Sequence, residues 1–381
     1  MSKTIVDECR GVLHVYSDGS IVRKLNPAFN IPVEENGTVL WKDVVFDSAH
    51  NLHLRLYKPA NATNSKLPIF YYIHGGGFCI GSRTWPNCQN YCFKLALQLQ
   101  VVVVAPDYRL APENRLPSAI DDGFMAVKWL QEEALSSEPD PWLSHVADFS
   151  RVFISGDSAG GNIAHHLAVR LGLGSTELEP VRVRGYVLLA PFFGGTVRTK
   201  SEAEGPNDAF LNLELIDRYW RLSISIGENT DHPLVNPFGP HSKSLEEIDL
   251  DPILVVVGEN DLLKDRVEDY ARRLKNWGKN IEYWRLSISI GENTDHPLVN
   301  PFGPHSKSLE EIDLDPILVV VGENDLLKDR VEDYARRLKN WGKNIEYVEF
   351  KGQQHGFFTI DPNSEPSKEL MLVIKQFIEK N

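Results

Sequence analysis

Twelve consecutive residues constrain this chain more than any other stretch. Residues 151–162 read Arg-Val-Phe-Ile-Ser-Gly-Asp-Ser-Ala-Gly-Gly-Asn, a β-branched and aromatic run that breaks at Gly156. The run has the pattern of a buried strand, and Asn162 to Leu171 reads as a helix. A serine at 158, with Gly156 and Gly160 two residues away on either side, matches the Gly-x-Ser-x-Gly elbow that turns a strand into a helix. The need for that pattern is steric. So sharp a turn forces the serine into a strained backbone conformation, and the flanking residues must be small for strand and helix to pass each other. Ser158 Oγ is then held at the carboxyl end of a sheet, above a helix N-terminus that favours developing negative charge.

The rest of the chain fits such a sheet. Between 11 and 57 the residues alternate as strands do, with Val44–Phe46 and Leu52–Tyr57 expected to pair antiparallel across the turn Asp47 to Asn51. Residues 67–73 form a continuous apolar run, as in a strand buried on both faces. A helix is predicted over Asn87 to Leu99, a strand over Val101 to Ala105, a second helix over Ala119 to Glu133, and a strand over Val183 to Ala190. This alternation predicts an α/β chain with a mostly parallel, twisted sheet covered by helices on both faces.

The strand at 67–73 runs into His74-Gly75-Gly76-Gly77-Phe78. Three glycines after a buried strand let backbone N–H groups approach another group closely. The expected target is an oxyanion, with Gly75, Gly76 and Gly77 as candidate donors beside Ala159, the residue after the serine. A phosphate-binding loop is the rival, but the stretch lacks both the Gly-Lys-Ser/Thr ending and the Gly-x-Gly-x-x-Gly spacing. His74 is expected to anchor the loop rather than act as a base, and Gly156, Asp157 and Gly160 to support the elbow. His165 and His166, adjacent on a helix, point in different directions and form no two-histidine metal face.

Composition narrows the function classes. Lys+Arg 40 against Asp+Glu 53 gives a net charge of −13, which argues against nucleic acid or an anionic membrane as the main partner. Cys9, Cys79, Cys88 and Cys92 follow no metal-ligand spacing and are expected to be buried thiols. The N-terminus is polar, and no run of 18 apolar residues could span a membrane, so the expected location is cytoplasmic.

Residues 220–283 and 284–347 are identical at all 64 positions. Each copy carries one strand (253–257 or 317–321), an acidic Gly-Glu-Asn-Asp loop, and a helix with one apolar face. That face is Val267, Tyr270, Ala271 and Leu274, or Val331, Tyr334, Ala335 and Leu338, and Gly278 or Gly342 closes the helix. Only one slot for that strand is expected beside the final strand at 345–350. One copy is therefore expected to enter a single domain spanning 1–381 and its twin to be extruded. Closing a 64-residue loop costs about 3.7 kcal/mol, which a large domain can bear.

A base and an acid remain to be found. His355 lies in a loop after the last strand and before a closing helix at 367–380, and fits the chain order Ser, Asp, His. The acid that orients it is expected after the penultimate strand. Asp325 of the second copy is preferred for its nearness to His355, with Asp261 of the first copy as the alternative. Glu323 and Asp329 are local rivals, and helix capping is the bland alternative for each.

His74-Gly-Gly-Gly-Phe78, Asp107-Tyr-Arg-Leu-Ala-Pro-Glu113, Gly156-Asp-Ser-Ala-Gly-Gly161 and Gln354-His-Gly-Phe357 resemble the plant carboxylesterases of the hormone-sensitive-lipase-like α/β-hydrolase group. Residues 51–59 and 181–187 resemble the carboxylesterase 15 branch in particular. The resemblance implies an α/β-hydrolase fold and a cap built from residues about 1–40 and an insertion after the sixth strand, about 195–245. It also implies Ser158 as nucleophile, an oxyanion hole of the glycine amides and Ala159, no metal or organic cofactor, and a small-molecule ester as substrate, strigolactone-type hormones among the candidates. A non-catalytic hormone receptor of the gibberellin-receptor type shares the fold and is the alternative function. Receptors of that type lack the histidine found here at 355. A misfolded or inactive product of the duplicated gene is a third outcome.

Overall fold

A computed structural model describes residues 3–24, 32–62, 66–173, 175–206, 211–259, 261–286, 302, 309–310, 314, 316–325, 327–354, 357, 361 and 364–380. Its contacts divide the chain into two compact units, Met1–Ser287 and Ile288–Asn381, where the sequence reading has one domain.

The first unit begins with three short strands, β1 (Ile5–Cys9), β2 (Leu13–Tyr16) and β3 (Ile21–Arg23), in a small antiparallel sheet. An antiparallel pair follows, β4 (Val39–Asp47) and β5 (Leu52–Pro59), joined at the expected turn. Then come β6 (Leu67–Ile73), α1 (Pro86–Leu99), β7 (Val102–Pro106), α2 (Ser118–Leu135), α3 (Pro141–Val146) and β8 (Ala147–Asp157). After the elbow lie α4 (Ala159–Leu171), β9 (Val183–Leu189), α5 (Lys200–Glu204), α6 (Leu213–Ser223), β10 (Ile253–Gly258), α7 (Lys264–Asn276) and β11 (Ile281–Leu286).

Eight strands form one sheet in the order β11-β10-β9-β8-β6-β7-β5-β4. Every pairing from β11 to β7 is parallel, and β5 and β4 join antiparallel at one side. β8 sits inside this sheet, flanked by β6 and β9. The period of two along β6 builds both faces of the core. Phe70 and Tyr72 pack with Cys88, Cys92 and Phe93 of α1, while Ile69, Tyr71 and Ile73 pack in the larger cluster that holds Ile120 and Phe124 of α2 and Ile163 and Leu167 of α4. Buried on both sides, these strands need no polar face, which is why their sequences are nearly continuous apolar runs.

α4 starts three residues earlier than its apolar periodicity predicts, because Gly160 and Gly161 make up its first turn and show no periodic signal. The segment after β9, the sixth strand of the large sheet, carries α5 and α6. Arg218 of α6 donates to the Glu8 carbonyl at 2.5 Å, and Arg23 of β3 donates to Glu113 at 2.8 Å. The N-terminal sheet is thereby tied to both the α6 insertion and the 107–113 loop.

The second unit holds β12 (Ile317–Gly322), α8 (Lys328–Asn340), β13 (Ile345–Phe350) and α9 (Glu365–Lys380). β12 and β13 pair in parallel as a two-stranded sheet of their own. The two copies therefore supply strands to different sheets: β10 of the first pairs with β9, and β12 of the second with β13. Among the described residues, no helix is long and apolar enough to cross a membrane.

Candidate active site

Ser158 stands between β8 and α4 with φ 52° and ψ −115°. A non-glycine residue in that region carries strain of about 1–3 kcal/mol, and three hydrogen bonds hold it there. The Ser158 N–H donates to the Leu189 carbonyl at 2.8 Å, and its carbonyl accepts from Phe192 N–H at 2.8 Å and Asn162 N–H at 3.0 Å. A Cβ at Gly156 would overlap the Gly160 backbone. One at Gly160 would overlap the Ile73 carbonyl and lie 2.8 Å from that of His74. Strand β6, the elbow and the start of α4 thus touch backbone to backbone, and the small residues are what permit it.

The glycine loop follows β6. Gly76 (φ +122°) and Gly77 (φ +58°) occupy conformations that disfavour side chains, and a Cβ on Gly77 would strike the ring of Tyr219. Cys79 and Ile80 both donate to the Gly76 carbonyl at 3.0 Å, closing the turn. Gly75 departs from the expectation. Its N–H donates to Asp157 Oδ1 at 2.9 Å, so it is engaged by a carboxylate rather than offered to an oxyanion. Among the described residues, no hydrogen bond takes the N–H groups of Gly76, Gly77 or Ala159.

His74 anchors the loop. Its ring stacks on Tyr108 with centroids 4.4 Å apart, its Nδ1 lies 2.8 Å from the Gly75 carbonyl, and Tyr108 Oη donates to the His74 carbonyl at 3.0 Å. Asp157 also accepts from Tyr72 Oη at 2.5 Å. Burial pushes the Asp157 carboxyl pKa up, while the Tyr72 hydrogen bond, the His74 ring and the Gly75 N–H oppose that shift. No local sequence pattern reveals the Asp157–Gly75 contact, which spans 82 residues. The only clue is that neighbouring parallel strands end level with each other. An aromatic wall went equally unread: Phe192 and Trp220 stack at 4.2 Å with Phe78 5.7 Å from Trp220.

The two candidate acids have the same local geometry. Asp261 Oδ1 accepts from Leu263 N–H at 2.9 Å, and Asp325 Oδ1 accepts from Leu327 N–H at 2.8 Å. Asp261 follows β10 in the unit that holds Ser158, and burial pushes its pKa up. Asp325 follows β12 in the second unit. Of the local rivals, Glu323 is tied to Gly352 N–H at 2.8 Å and Lys351 at 3.1 Å, and Asp329 lies in the first turn of α8. His355 lies outside the described residues. His165 and His166 serve packing. His165 Nδ1 is 3.0 Å from Tyr270 Oη, His166 Nε2 donates to the Leu234 carbonyl at 3.2 Å, and burial lowers the pKa of both, His166 to about 4. All four cysteines are buried free thiols.

A strained serine on a strand-to-helix turn, faced by a glycine loop at the carboxyl end of a mostly parallel sheet, defines the α/β hydrolases. The family model described as the alpha/beta hydrolase fold matches residues 70–283 and again 279–359, and the chain belongs to that family. It is similar to "Probable carboxylesterase 6" of Arabidopsis thaliana, with 39% identity over 267 residues, 68% of this chain and 77% of that protein. It is 36% identical over 283 residues to "Gibberellin receptor GID1C" of the same plant, covering 70% of this chain and 79% of the receptor. Among solved structures, the esterase of Pyrobaculum calidifontis superposes with a TM-score of 0.54 at 29% identity, over 68% of this chain and 77% of that one.

Proposed function

We propose that this chain is a carboxylesterase that cleaves small to medium, largely apolar carboxylic esters through an acyl-enzyme on Ser158. The observation that carries the reading is the strained Ser158 on an elbow whose Asp157 holds the glycine loop, with the N–H groups of Gly76, Gly77 and Ala159 donating to no other described residue. Ser158 Oγ attacks the ester carbonyl while an imidazole takes its proton, and the amides hold the tetrahedral oxyanion. The imidazolium then protonates the leaving alcohol as the C–O bond breaks, and water releases the acid and restores the serine.

His355 is proposed as that base, from its place in the sequence. The orienting carboxylate is proposed to come from one of the two Gly-Glu-Asn-Asp loops. Asp325 has sequence proximity to His355 in its favour. Asp261 has its place on the sheet that bears Ser158, which we take as the stronger ground. Residues 51–59 and 181–187 support the carboxylesterase 15 branch. The similarity to a gibberellin receptor favours the second reading, hormone binding without turnover.

A p-nitrophenyl acetate assay decides between them. Ser158→Ala is expected to lower turnover by about 10⁴-fold or more. Equal rates for the two proteins would end the esterase reading, and tight, saturable hormone binding by a protein without turnover would establish the receptor.

A further inference from the structure

We propose that Asp157 is a positioning residue that braces the glycine loop against the nucleophile elbow and so sets the spacing of the oxyanion donors. The inference rests on the esterase reading of Ser158 and deepens it. Asp157 is the last residue of β8, one bond from Ser158, and its Oδ1 accepts from two groups at once: Gly75 N–H at 2.9 Å and Tyr72 Oη at 2.5 Å. Gly75 in turn is one residue from Gly76, so the carboxylate links the two halves of the donor set, Gly76 and Gly77 on one side and Ala159 on the other. The strands that carry them are neighbours in register, Ile73 opposite Gly156.

Ser158, not Asp157, is the cap residue of α4, and the Asp157 side chain reaches across to β6 rather than along the helix. A Cβ on Gly75 would overlap Asp157 Oδ2, so the carboxylate packs closely against the loop backbone at Gly75. Burying a carboxylate disfavours its charged form, and a fold that only needed to fill this space could do so with an apolar side chain. What the carboxylate adds is a directional acceptor at the point where the loop leaves β6. Oxyanion donors act through a geometry fixed before reaction, and a displacement of about 1 Å is costly.

The test uses the full chain with Asp157→Ala, Asp157→Asn and Tyr72→Phe. Active sites are counted by titration to completion with a fluorophosphonate, with Ser158→Ala as the unlabelled control. Turnover per titrated site and inhibition by an aryl trifluoromethyl ketone, whose hemiketal oxygen sits where the oxyanion forms, are then measured. Asp157→Ala is expected to lower kcat per site about 100-fold with KM within about threefold, and to weaken the ketone by the same factor. Asp157→Asn, which keeps an acceptor oxygen, is expected to lose about tenfold or less, and Tyr72→Phe less again. Kcat per site and ketone affinity unchanged within threefold, with only Tm or the titrated fraction lowered, would make Asp157 merely structural and overturn the proposal. If Asp157→Ala fails to fold, the proportional loss of kcat and ketone affinity in the other two variants supports the brace, and its absence in both overturns it. A wild-type protein that is not labelled at Ser158 would overturn the esterase reading itself, and the brace with it.

Discussion

Residues 220–283 and 284–347 are one sequence in two settings, and the contrast separates what a segment carries with it from what its neighbours impose. Locally the two agree. Each has a six-residue strand and a 13-residue helix, and each helix carries an i,i+4 ion pair of 2.8 Å, Asp269–Arg273 in one and Asp333–Arg337 in the other. Phe238 meets Trp277 at 5.9 Å, and Phe302 meets Trp341 at 5.6 Å.

Burial does not agree. In α7, Val267, Tyr270, Ala271 and Leu274 are all buried, and Tyr270 Oη lies 3.0 Å from His165. In α8 only Ala335 and Leu338 are buried, and Val331 and Tyr334 are half-exposed. The physical difference is what lies alongside. β10 has β9 on one side and β11 on the other, whereas among the described residues β12 pairs with β13 alone.

The charges diverge at the junction, because the copies end on different continuations. After Tyr283 the chain restarts as Trp284-Arg285-Leu286, and after Tyr347 it runs on as Val348-Glu349-Phe350. Glu259, whose side chain is 3% exposed, therefore meets Arg285 at 2.5 Å and Lys264 at 3.0 Å. Its twin Glu323 is 37% exposed and pairs with Lys351 at 3.1 Å.

Substitutions in and around the two Gly-Glu-Asn-Asp loops test this contrast. The largest effect is expected for the candidate acids. Asp261→Asn should lower kcat on p-nitrophenyl acetate about 10³-fold, as loss of an orienting carboxylate does, and Asp325→Asn by less than threefold. The reverse ranking would assign the acid to the second copy. Next come the ion pairs. Arg285→Ala takes one cation from a buried carboxylate that keeps Lys264 and should cost about 2 kcal/mol, below the full penalty of a broken buried pair because Arg285 is itself one-third exposed. Lys351→Ala removes a 76% exposed partner from a solvent-screened pair and should cost much less. Urea midpoints of the two variants at neutral pH measure the difference, and equal losses would erase it.

The smallest effect is in pH dependence, where the two loops should have opposite signs. Burial raises the Asp261 pKa above its ordinary 3.8. The folded state therefore holds that proton more tightly than the unfolded state does, and the stability this supplies is complete below 3.8 and lost as pH rises through the folded pKa. Hydrogen bonds from Gly352 N–H and Lys351 lower the Glu323 pKa below its ordinary 4.5. Its contribution is present above 4.5 and lost as pH falls through the folded value. As pH rises from about 3.5 to 6, Asp261→Asn should gain stability relative to wild type and Glu323→Gln should lose it. Urea titrations at a series of pH values follow both, and parallel slopes would contradict the assignment of environments.

Much of the fold was legible because its signals are local. The apolar runs of β6 and β9, the turn between β4 and β5, and the helix face Val267-Tyr270-Ala271-Leu274 are each contained in fewer than 15 residues. Ser158 was legible for the same reason, since its strained turn requires small neighbours at fixed spacing. Gly75 was misread because its three-glycine setting says only that backbone can approach something. What it approaches, Asp157, is 82 residues away and is brought there by the pairing of β6 with β8.

Sequence alone determined the elbow, the glycine loop, the helical and extended segments and the exact repetition of 64 residues, because each of these rests on energies that act within a few residues. Tertiary structure decided which glycine amide meets a carboxylate, which copy's strand lies against β9 and which glutamate is buried with an arginine. Two identical segments have identical local energies. Only the surroundings into which each is packed can make them differ.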